Sequence, residues 1–200
     1  MLSGPLKKWS SCFVSILLAS LMGCNGEEGV SSADVVVFSD DIDLEIDISA
    51  TPGIDSLVDL LLFEPVSAAE DPFASHRPDE VNCEVGYAVE IAVFEVETDK
   101  CNYGTFAQPM LVGLESTDQI RLVIWHLALW ATEPAEAHVA IQIGENLIWE
   151  AFSPIPGAEE VWDITLDLEA SVPIGTPVYF HVHNHGYNSW RLGLIERIRD

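Results

Sequence analysis

The 200-residue chain has few basic side chains, with 8 Lys and Arg against 33 Asp and Glu, and its formal net charge is -25. A chain this acidic repels the phosphate backbone, so we expect no nucleic acid as a partner. The same repulsion disfavours direct adsorption to anionic lipid surfaces. Two explanations for the acidity stay open: a solvated surface suited to a salty environment, or carboxylates that collect divalent cations.

The N-terminal region lacks an apolar run long enough for a transmembrane helix, which needs roughly 20 residues. The apolar run at residues 12–18 is interrupted by Ser15, follows Lys7 and Lys8, and precedes small residues. This order of charged, apolar and small residues is typical of a cleavable export signal. We therefore expect residues 1–23 to be a signal peptide rather than a membrane span.

The predicted signal ends in Leu21-Met22-Gly23-Cys24. This ending resembles the lipobox of bacterial lipoproteins, whose signal is cut before a cysteine that then carries the lipid. The resemblance implies palmitate or a similar acyl group on Cys24 and a domain tethered to a membrane. Residue 25 is Asn25 rather than the aspartate associated with inner-membrane retention. That implies the outer membrane, with the domain facing the periplasm or the cell surface; ordinary secretion is the alternative.

Cysteine is scarce, with four residues in the chain. If Cys12 leaves with the signal and Cys24 carries lipid, as the lipoprotein resemblance implies, Cys83 and Cys101 remain. In an oxidising compartment we expect these two to form a disulfide. On the chain-entropy model such a bridge contributes roughly 3 kcal/mol. A metal-thiolate pair is the alternative, although the spacing is not a recognised zinc spacing.

Composition divides the region before residue 81 into two parts. Residues 24–33 are small and polar and predict a flexible tether. Residues 34–80 form an acidic segment with a predicted edge strand at residues 41–48. Residues 54–63 predict a short helix, and residues 64–80, which contain three prolines, predict a long irregular connection.

Residues 81–200 consist of short β-prone runs separated by turn signals, without an internal repeat. This pattern predicts an all-β domain, specifically an antiparallel β-sandwich. The turn signals include Asn102-Tyr103-Gly104 and Gln108-Pro109. The predicted strands occupy residues 85–97, 119–130, 138–143, 147–152, 162–168, 178–184 and 190–198.

Familiar catalytic motifs are missing from the chain. It has no Gly-x-Ser-x-Gly elbow, His-Glu-x-x-His helix or Gly-rich phosphate loop, and no cysteine in a reactive setting. We therefore expect no catalytic residues and a protein that is not an enzyme. A hydrolase with an unfamiliar site stays as a third possibility.

Three histidines, His181, His183 and His185, alternate near the C-terminus. On a strand they would share one face, while Phe180 and Val182 would point into the core. Neighbours two residues apart lie about 6.6 to 7 Å from each other on a strand, so an adjacent pair can converge on one metal ion. The outer two are too far apart for a triad on a straight strand.

A further histidine would complete such a site, and the sequence offers His126 or His138. Imidazole nitrogens suit zinc or copper, so we predict a possible centre for one of these ions at His181, His183, His185 and His126. The alternative is that the three C-terminal histidines form hydrogen bonds on a half-buried face. For His126, within an apolar strand, the alternative is a satisfied core histidine.

Tryptophan offers another kind of site, because an exposed indole can stack on a sugar ring, although core packing is its commoner use. We expect the ligand-binding residues to be Trp190, which follows a turn near a loop, with Tyr187 and Asn188. The tryptophans after the signal are Trp125, Trp130, Trp149, Trp162 and Trp190.

Residues 105–200 resemble the jelly-roll modules of the galactose-binding-like superfamily. The resemblance rests on the order of a strand ending in Trp125-His126-Leu127, a hairpin from residues 138–144 into residues 147–150, and a closing run at residues 183–192. It implies a jelly-roll fold, a glycan ligand and, often, a structural calcium ion. The binding loops differ between members, so the resemblance supports the fold more than the function.

Two functions follow from these patterns. The first is a lipid-anchored, non-catalytic binding module whose ligand is a glycan or a protein partner. The second is a lipoprotein that binds copper or zinc through the face formed by His181, His183 and His185.

Overall fold

The computed structural model describes residues 54–199. The predicted signal peptide, the lipidated Cys24, the tether and the predicted strand at residues 41–48 lie outside the described residues. Within the described part, no helix is long and apolar enough to cross a membrane.

The described residues contain eleven β-strands and two short 3-10 helices, at Leu60–Leu62 and Ala74–His76. The strands are β1 (Ile54–Ser56), β2 (Glu64–Pro65), β3 (Tyr87–Glu90), β4 (Val93–Glu97), β5 (Tyr103–Pro109), β6 (Gln119–His126), β7 (Ala135–Ile143), β8 (Asn146–Ile155), β9 (Glu160–Asp167), β10 (Pro177–His183) and β11 (Ser189–Ile198).

The strands form two sheets with antiparallel pairing throughout. Sheet A has the order β3-β4-β11-β6-β9, and β1 also pairs with β11. Sheet B has the order β2-β5-β10-β7-β8. Along the chain, β5, β7, β8 and β10 belong to sheet B while β6, β9 and β11 belong to sheet A. This crossing between layers confirms the predicted antiparallel sandwich of jelly-roll type.

Alternation along the strands builds the core. In β6, Ile120, Leu122 and Ile124 are buried while the residues between them are half-buried. In β10 of the other sheet, Phe180 and Val182 are fully buried in the same apolar cluster. Because side chains alternate between the faces of a strand, His181, between these two residues, and His183 after them lie on the outer face of sheet B.

The predicted strand at residues 85–97 is instead a hairpin of β3 and β4. Its turn is formed by Ile91 and Ala92, with φ of 46° and 64°. Tight hairpin turns of this kind need positive φ and are usually marked by Asn-Gly or Asp-Gly. The turn was missed because neither residue is a turn signal.

The short helix predicted at residues 54–63 is reduced to the three-residue 3-10 helix Leu60–Leu62. Residues Ile54–Ser56 pair as β1 with the end of β11, and Leu57 and Val58 enter the core. Leu61 and Leu62 are exposed. Because β1 and β2 pair with sheets A and B, the sandwich begins before residue 81, the predicted boundary.

Strand β5 was not predicted, because its two ends read as turns in the sequence. It pairs with β10 along its whole length and with β2 on its other side. Pro109 stands at the end of the strand, where a missing N–H donor is tolerated. Both faces of β5 are covered, because Phe106 lies in the core and Tyr103 and Thr105 are buried on the outer face.

The cover on that outer face is the segment from Val66 to Asn82, which we call the strap. Its first residue donates a backbone hydrogen bond to Thr105, and its last exchanges hydrogen bonds with Asn102. Directly after the strap, Cys83 forms a disulfide with Cys101. This confirms the predicted bridge, which joins the end of the strap to the start of β5.

Candidate metal centre

The outer face of sheet B carries a row of polar side chains under the strap. The register of β10 places His181 between Thr105 of β5 and Ala140 of β7. One step along the same face, His183 lies between Tyr103 and His138. The prediction that His181 and His183 share the face opposite Phe180 and Val182 is therefore confirmed.

The strap adds the residue that completes a cluster. His76 ends the 3-10 helix Ala74–His76, and His76, His138 and His181 each place a ring nitrogen within 4.8 Å of the other two. We call these three residues the histidine trio. They come from the strap, from β7 and from β10, so only the folded chain brings them together.

Aromatic rings enclose the histidine trio. Phe73 of the strap stacks on His181 with ring centres 4.3 Å apart and an interplanar angle of 17°. Phe152 of β8, which is itself 56% exposed, stacks on His138 with ring centres 4.4 Å apart. His181 is 0% exposed and His138 is 8% exposed. The imidazoles therefore lie in an environment from which most water is excluded.

A chain of hydrogen bonds determines which nitrogen of His181 carries the proton. The Thr105 hydroxyl lies 2.8 Å from Asp71 Oδ1 and 2.8 Å from His181 Nδ1. An ionised carboxylate only accepts, so the hydroxyl donates its single hydrogen to Asp71 and accepts from His181 Nδ1–H. The lone pair of His181 therefore lies on Nε2.

That lone pair has no protein partner. The Nε2 atoms of His76, His181 and His183 are buried and have no hydrogen-bond partner among the described residues. Buried polar atoms in native proteins are nearly always paired, and an unpaired one calls for an explanation such as an ion. Two of these nitrogens belong to the histidine trio and the third to the neighbouring His183, so their lone pairs are available to a metal ion.

Burial keeps the imidazoles of His138, His181 and His183 neutral. It lowers the pKa of His181 to about 2, and the neighbouring histidines act in the same direction. Burial also lowers the pKa of His183 to about 4, with His185 as the next cause. The pKa of His138 falls below its ordinary value, again mainly through burial. Neutral imidazole is the form that binds metal, so rings kept neutral in this way release few protons when they bind an ion at neutral pH.

A carboxylate orients His138 as well. Glu150 Oε2 lies 3.0 Å from His138 Nε2, across the β7–β8 pair. Because burial favours the neutral ring, we describe this contact as a hydrogen bond from Nε2–H to the carboxylate. Metal-ligating histidines commonly have such a partner, which fixes the orientation of the ring.

Asp71 holds the strap against the sheet. Besides Thr105, its carboxylate accepts from the Tyr103 hydroxyl at 2.6 Å, from the backbone N–H of Phe73 at 3.0 Å and from Arg77 at 3.3 Å. Burial first, and then the bond to Asp71, raises the pKa of Tyr103, so the phenol stays protonated and donates. The same carboxylate therefore positions both the strap and His181.

The geometry of the trio fits a transition-metal ion after a small adjustment. Nitrogens bound at 2.0 to 2.1 Å to a tetrahedral ion lie about 3.4 Å apart, so the most distant pair, at up to 4.8 Å, must close by about 1.4 Å. Imidazole donors favour zinc or copper, whereas calcium takes oxygen ligands.

The other predicted metal ligands occupy different positions. His183 lies beside the trio, with Nδ1 3.4 Å from His76 Nδ1. His185 is exposed, and its ring centre is 5.1 Å from that of His183. His126 lies on β6 of sheet A, in the core between Trp162 and Trp190, and is not part of the cluster.

Two members of the trio show how much the sequence could predict. His138 was named as a ligand that might complete a site, because it lies in a predicted strand. His76 was not, since it lies in a segment rich in proline and acidic residues that showed no strand or helix periodicity. Its only signal is that it is a histidine in a chain with 6 of them.

The predicted ligand-binding residues lie at a separate surface. Trp190 is 0% exposed and donates to Asn184 Oδ1, so no ligand can stack on it in this structure. Asn188 is buried and accepts from the Trp130 backbone N–H. Tyr187 is 65% exposed and stacks on Trp130, which is 55% exposed. The exposed aromatic pair is therefore Tyr187 and Trp130.

A cleft of about 730 Å³ lies next to this pair, and we call it the acidic cleft. Its lining includes Asp99, Glu133, Glu136, His185 and Tyr187, and it contains no lysine or arginine. Gly186 also lines it, with φ of 103°, and a Cβ there would collide with the Trp130 carbonyl oxygen. Glycine at this position lets the loop after β10 approach the Trp130 segment.

No family model matches this chain. No curated protein matches it either. Among solved structures, it is similar to one titled "CBM4 structure and function", with a TM-score of 0.40, 11% identity, and coverage of 72% of this chain and 100% of the other.

Two larger proteins share weaker similarity with this chain. The structure of PfGH50B gives a TM-score of 0.34 and 9% identity over 60% of this chain and 22% of the other. The enzymatically active domain of tailspike protein 4 from bacteriophage CBA120 gives a TM-score of 0.30 and 15% identity. The similarity covers 52% of this chain and 15% of the other. None of these similarities identifies a function for this chain.

Proposed function

We propose that this domain binds a zinc or copper ion through the histidine trio, His76, His138 and His181. The observation that carries the proposal is the buried Nε2 of His181, which has no partner among the described residues and whose lone pair is left free because the Thr105 hydroxyl, which donates to Asp71, accepts from Nδ1–H. A second unpaired nitrogen, Nε2 of His76, belongs to the same cluster.

The position of the trio supports a role in holding the strap. Three histidines would leave the fourth position of a tetrahedral ion to water or another ligand. Phe73 of the strap stacks on His181, so the strap and the sheet already meet at this centre. An ion held by His76 of the strap and by His138 and His181 of sheet B would clamp the strap onto the sheet.

Equilibrium titration of the metal-stripped full-length chain in detergent tests this function. We expect one Zn²⁺ or Cu²⁺ ion per chain and a rise in the melting temperature, because an ion that binds only the folded state stabilises it. A chain that binds neither ion and shows no thermal shift with either would contradict the proposal. A His138→Ala variant that folds but binds the ion as tightly as the wild type would contradict the assignment to the trio.

A second candidate function is glycan binding at the acidic cleft. Trp130 and Tyr187 present two stacked, exposed rings with centres 5.8 Å apart, suited to the apolar face of a sugar. The neighbouring carboxylates Asp99, Glu133 and Glu136 can accept hydrogen bonds from sugar hydroxyls. This candidate moves the predicted ligand contact from Trp190 to Trp130 and retains Tyr187.

A glycan array probed with the wild type and with Trp130→Ala tests the second candidate. We expect any bound glycan to be lost in Trp130→Ala and retained in Val161→Ala, a matched control that removes an exposed apolar side chain from β9. A blank array for the wild type, or binding that survives Trp130→Ala, would count against glycan and leave a protein as the ligand of this surface.

We also propose that Cys24 is lipidated and that the acyl chains hold the domain at the outer membrane. The support is the order of charged, apolar and small residues that ends in Leu21-Met22-Gly23-Cys24. Mass spectrometry of the chain isolated from a bacterial host should show an acylated N-terminal Cys24. A Cys24→Ser variant should leave the membrane fraction, whereas Cys12→Ser should remain in it.

A further inference from the structure

Histidines form a continuous series from the surface to the proposed metal centre. His185 is exposed and its ring centre lies 5.1 Å from that of the half-buried His183. The ring of His183 lies 5.6 Å from that of His76, which lies 4.8 Å from His138 and 5.0 Å from His181. Each step is short enough for an ion to reach the next imidazole with small side-chain rotations.

Neither His183 nor His185 is needed to form the trio, yet His183 resembles a ligand. Its Nε2 is buried without a partner among the described residues, and its Nδ1 is 3.4 Å from Nδ1 of His76. An imidazole that binds a passing ion must keep a lone pair free, and the His183 ring has one next to a second imidazole, whereas the neighbours of the core residue His126 are indoles.

The outer end of the series opens onto the acidic cleft. His185 lines this cleft together with Asp99, Glu133 and Glu136. Glu136 lies two residues before His138 on β7, and side chains two residues apart on a strand share a face. The cleft therefore adjoins the same face of sheet B that holds the metal centre. A cleft lined by one sign of charge concentrates ions of the other sign.

We infer that the acidic cleft is the entrance through which a zinc or copper ion reaches the histidine trio, with His185 and His183 as transient ligands on the way. The inference rests on the proposed metal function, because it needs an ion at the trio. It assigns to His183 and His185 a role in the rate of loading rather than in the affinity of the final site.

The test compares rates with affinity in the full-length chain, using Zn²⁺ and a chromogenic chelator in a stopped-flow instrument. A residue on the path lowers the barrier in both directions, so His185→Ala should slow loading and chelator-driven release by the same factor and leave the Kd unchanged. Glu133→Gln should slow loading at low salt by about tenfold and weaken its salt dependence. Glu145→Gln is the control, because Glu145 follows the opposite end of β7.

Each contrary outcome has a distinct meaning. Loading of His185→Ala at the wild-type rate would overturn the entrance while leaving the metal function in place. A Kd for His185→Ala as weak as that of His181→Ala would make His185 a ligand of the final site and overturn its transient role. A wild type that binds no Zn²⁺ at equilibrium would overturn the proposed function and the entrance with it.

Discussion

Histidines are buried at two places in this sandwich, one in each sheet, and their surroundings differ. His126 of sheet A lies in the core between Trp162 and Trp190, and its Nδ1 donates to the Leu127 carbonyl oxygen at 2.7 Å. In sheet B, His138 and His181 lie on the outer face and meet His76 of the strap. All of these rings are surrounded by aromatic side chains.

The comparison shows that burial alone does not make a ligand. The Nε2 of His126 is buried and has no hydrogen-bond partner within residues 54–199, and the same is true of the Nε2 of His181. Around His126 the neighbours are indoles, which cannot bind the same ion. Around His181 the neighbours are two more imidazoles and a hydroxyl that fixes its tautomer. Convergence of several donors, together with outer hydrogen-bond partners, distinguishes the candidate metal centre from a core histidine.

The largest expected effect is on metal affinity, which should fall when His181 is replaced and stay the same when His126 is replaced. His181→Ala removes a direct ligand, and it should weaken Zn²⁺ binding by at least about 100-fold, since loss of an outer partner alone costs 10 to 100-fold. His126→Ala should leave the Kd unchanged. Competition with a fluorescent chelator measures both. Equal losses of Zn²⁺ affinity in the two variants would contradict the distinction between a metal ligand and a core histidine.

The reverse order is expected for the stability of the metal-free chain. His126→Ala leaves a cavity between two tryptophans in the core and should lower the free energy of unfolding by about 3 kcal/mol. His181→Ala should cost less, because the space that it leaves lies under the strap, which can close on a cavity more readily than the packed strands of the core can. Urea unfolding with chelator present checks the order. A larger loss for His181→Ala would show that the strap face, not the core, dominates stability.

A third test addresses the hydrogen bonds that orient His181. Thr105→Val keeps the shape of the side chain but removes the oxygen between Asp71 and His181, and it should weaken Zn²⁺ binding about tenfold. Tyr103→Phe removes a different bond to Asp71 and should cost about 1 kcal/mol of stability with little change in the Kd. If both variants changed the Kd equally, Asp71 would act only by holding the strap.

The free energy of unfolding of the metal-free chain should also depend on pH. Histidines of the unfolded chain titrate near pH 6.5, whereas burial lowers the pKa of His183 to about 4 and that of His181 further. Between these values the unfolded state binds more protons, so the free energy of unfolding falls as the pH falls below about 6.5. The slope is up to about 1.4 kcal/mol per pH unit for each histidine.

A variant provides the check on this slope. His181→Ala should show a shallower decline between pH 6 and pH 4, because one buried imidazole no longer resists protonation. Urea unfolding at several pH values in the presence of chelator measures it. An identical slope in the variant and the wild type would mean that the trio is protonated without loss of the fold.

The sequence predicted the sandwich and most of its strands because apolar residues alternate along them. It also predicted that His181 and His183 share a face, which depends only on their spacing along one strand. The disulfide Cys83–Cys101 was predicted as well, from the lipoprotein resemblance and the expectation of an oxidising compartment.

The centre itself was beyond the reach of local patterns. His76 has no periodic context, and it reaches His181 only because the strap folds over sheet B, held by Asp71 and Phe73. Strand β5, which supplies Tyr103 and Thr105, was hidden by turn signals at both of its ends. Contacts between residues more than a hundred positions apart, such as His76 with His183, depend on the register of the whole sheet.

The most direct test of the central claim is a crystal structure of the zinc-loaded chain, with diffraction data collected on both sides of the zinc absorption edge. The account predicts one anomalous peak bound by His76, His138 and His181, with nitrogens at about 2.0 to 2.1 Å from the ion. A peak only at surface carboxylates, or no peak at the trio in a chain shown to contain zinc, would contradict it.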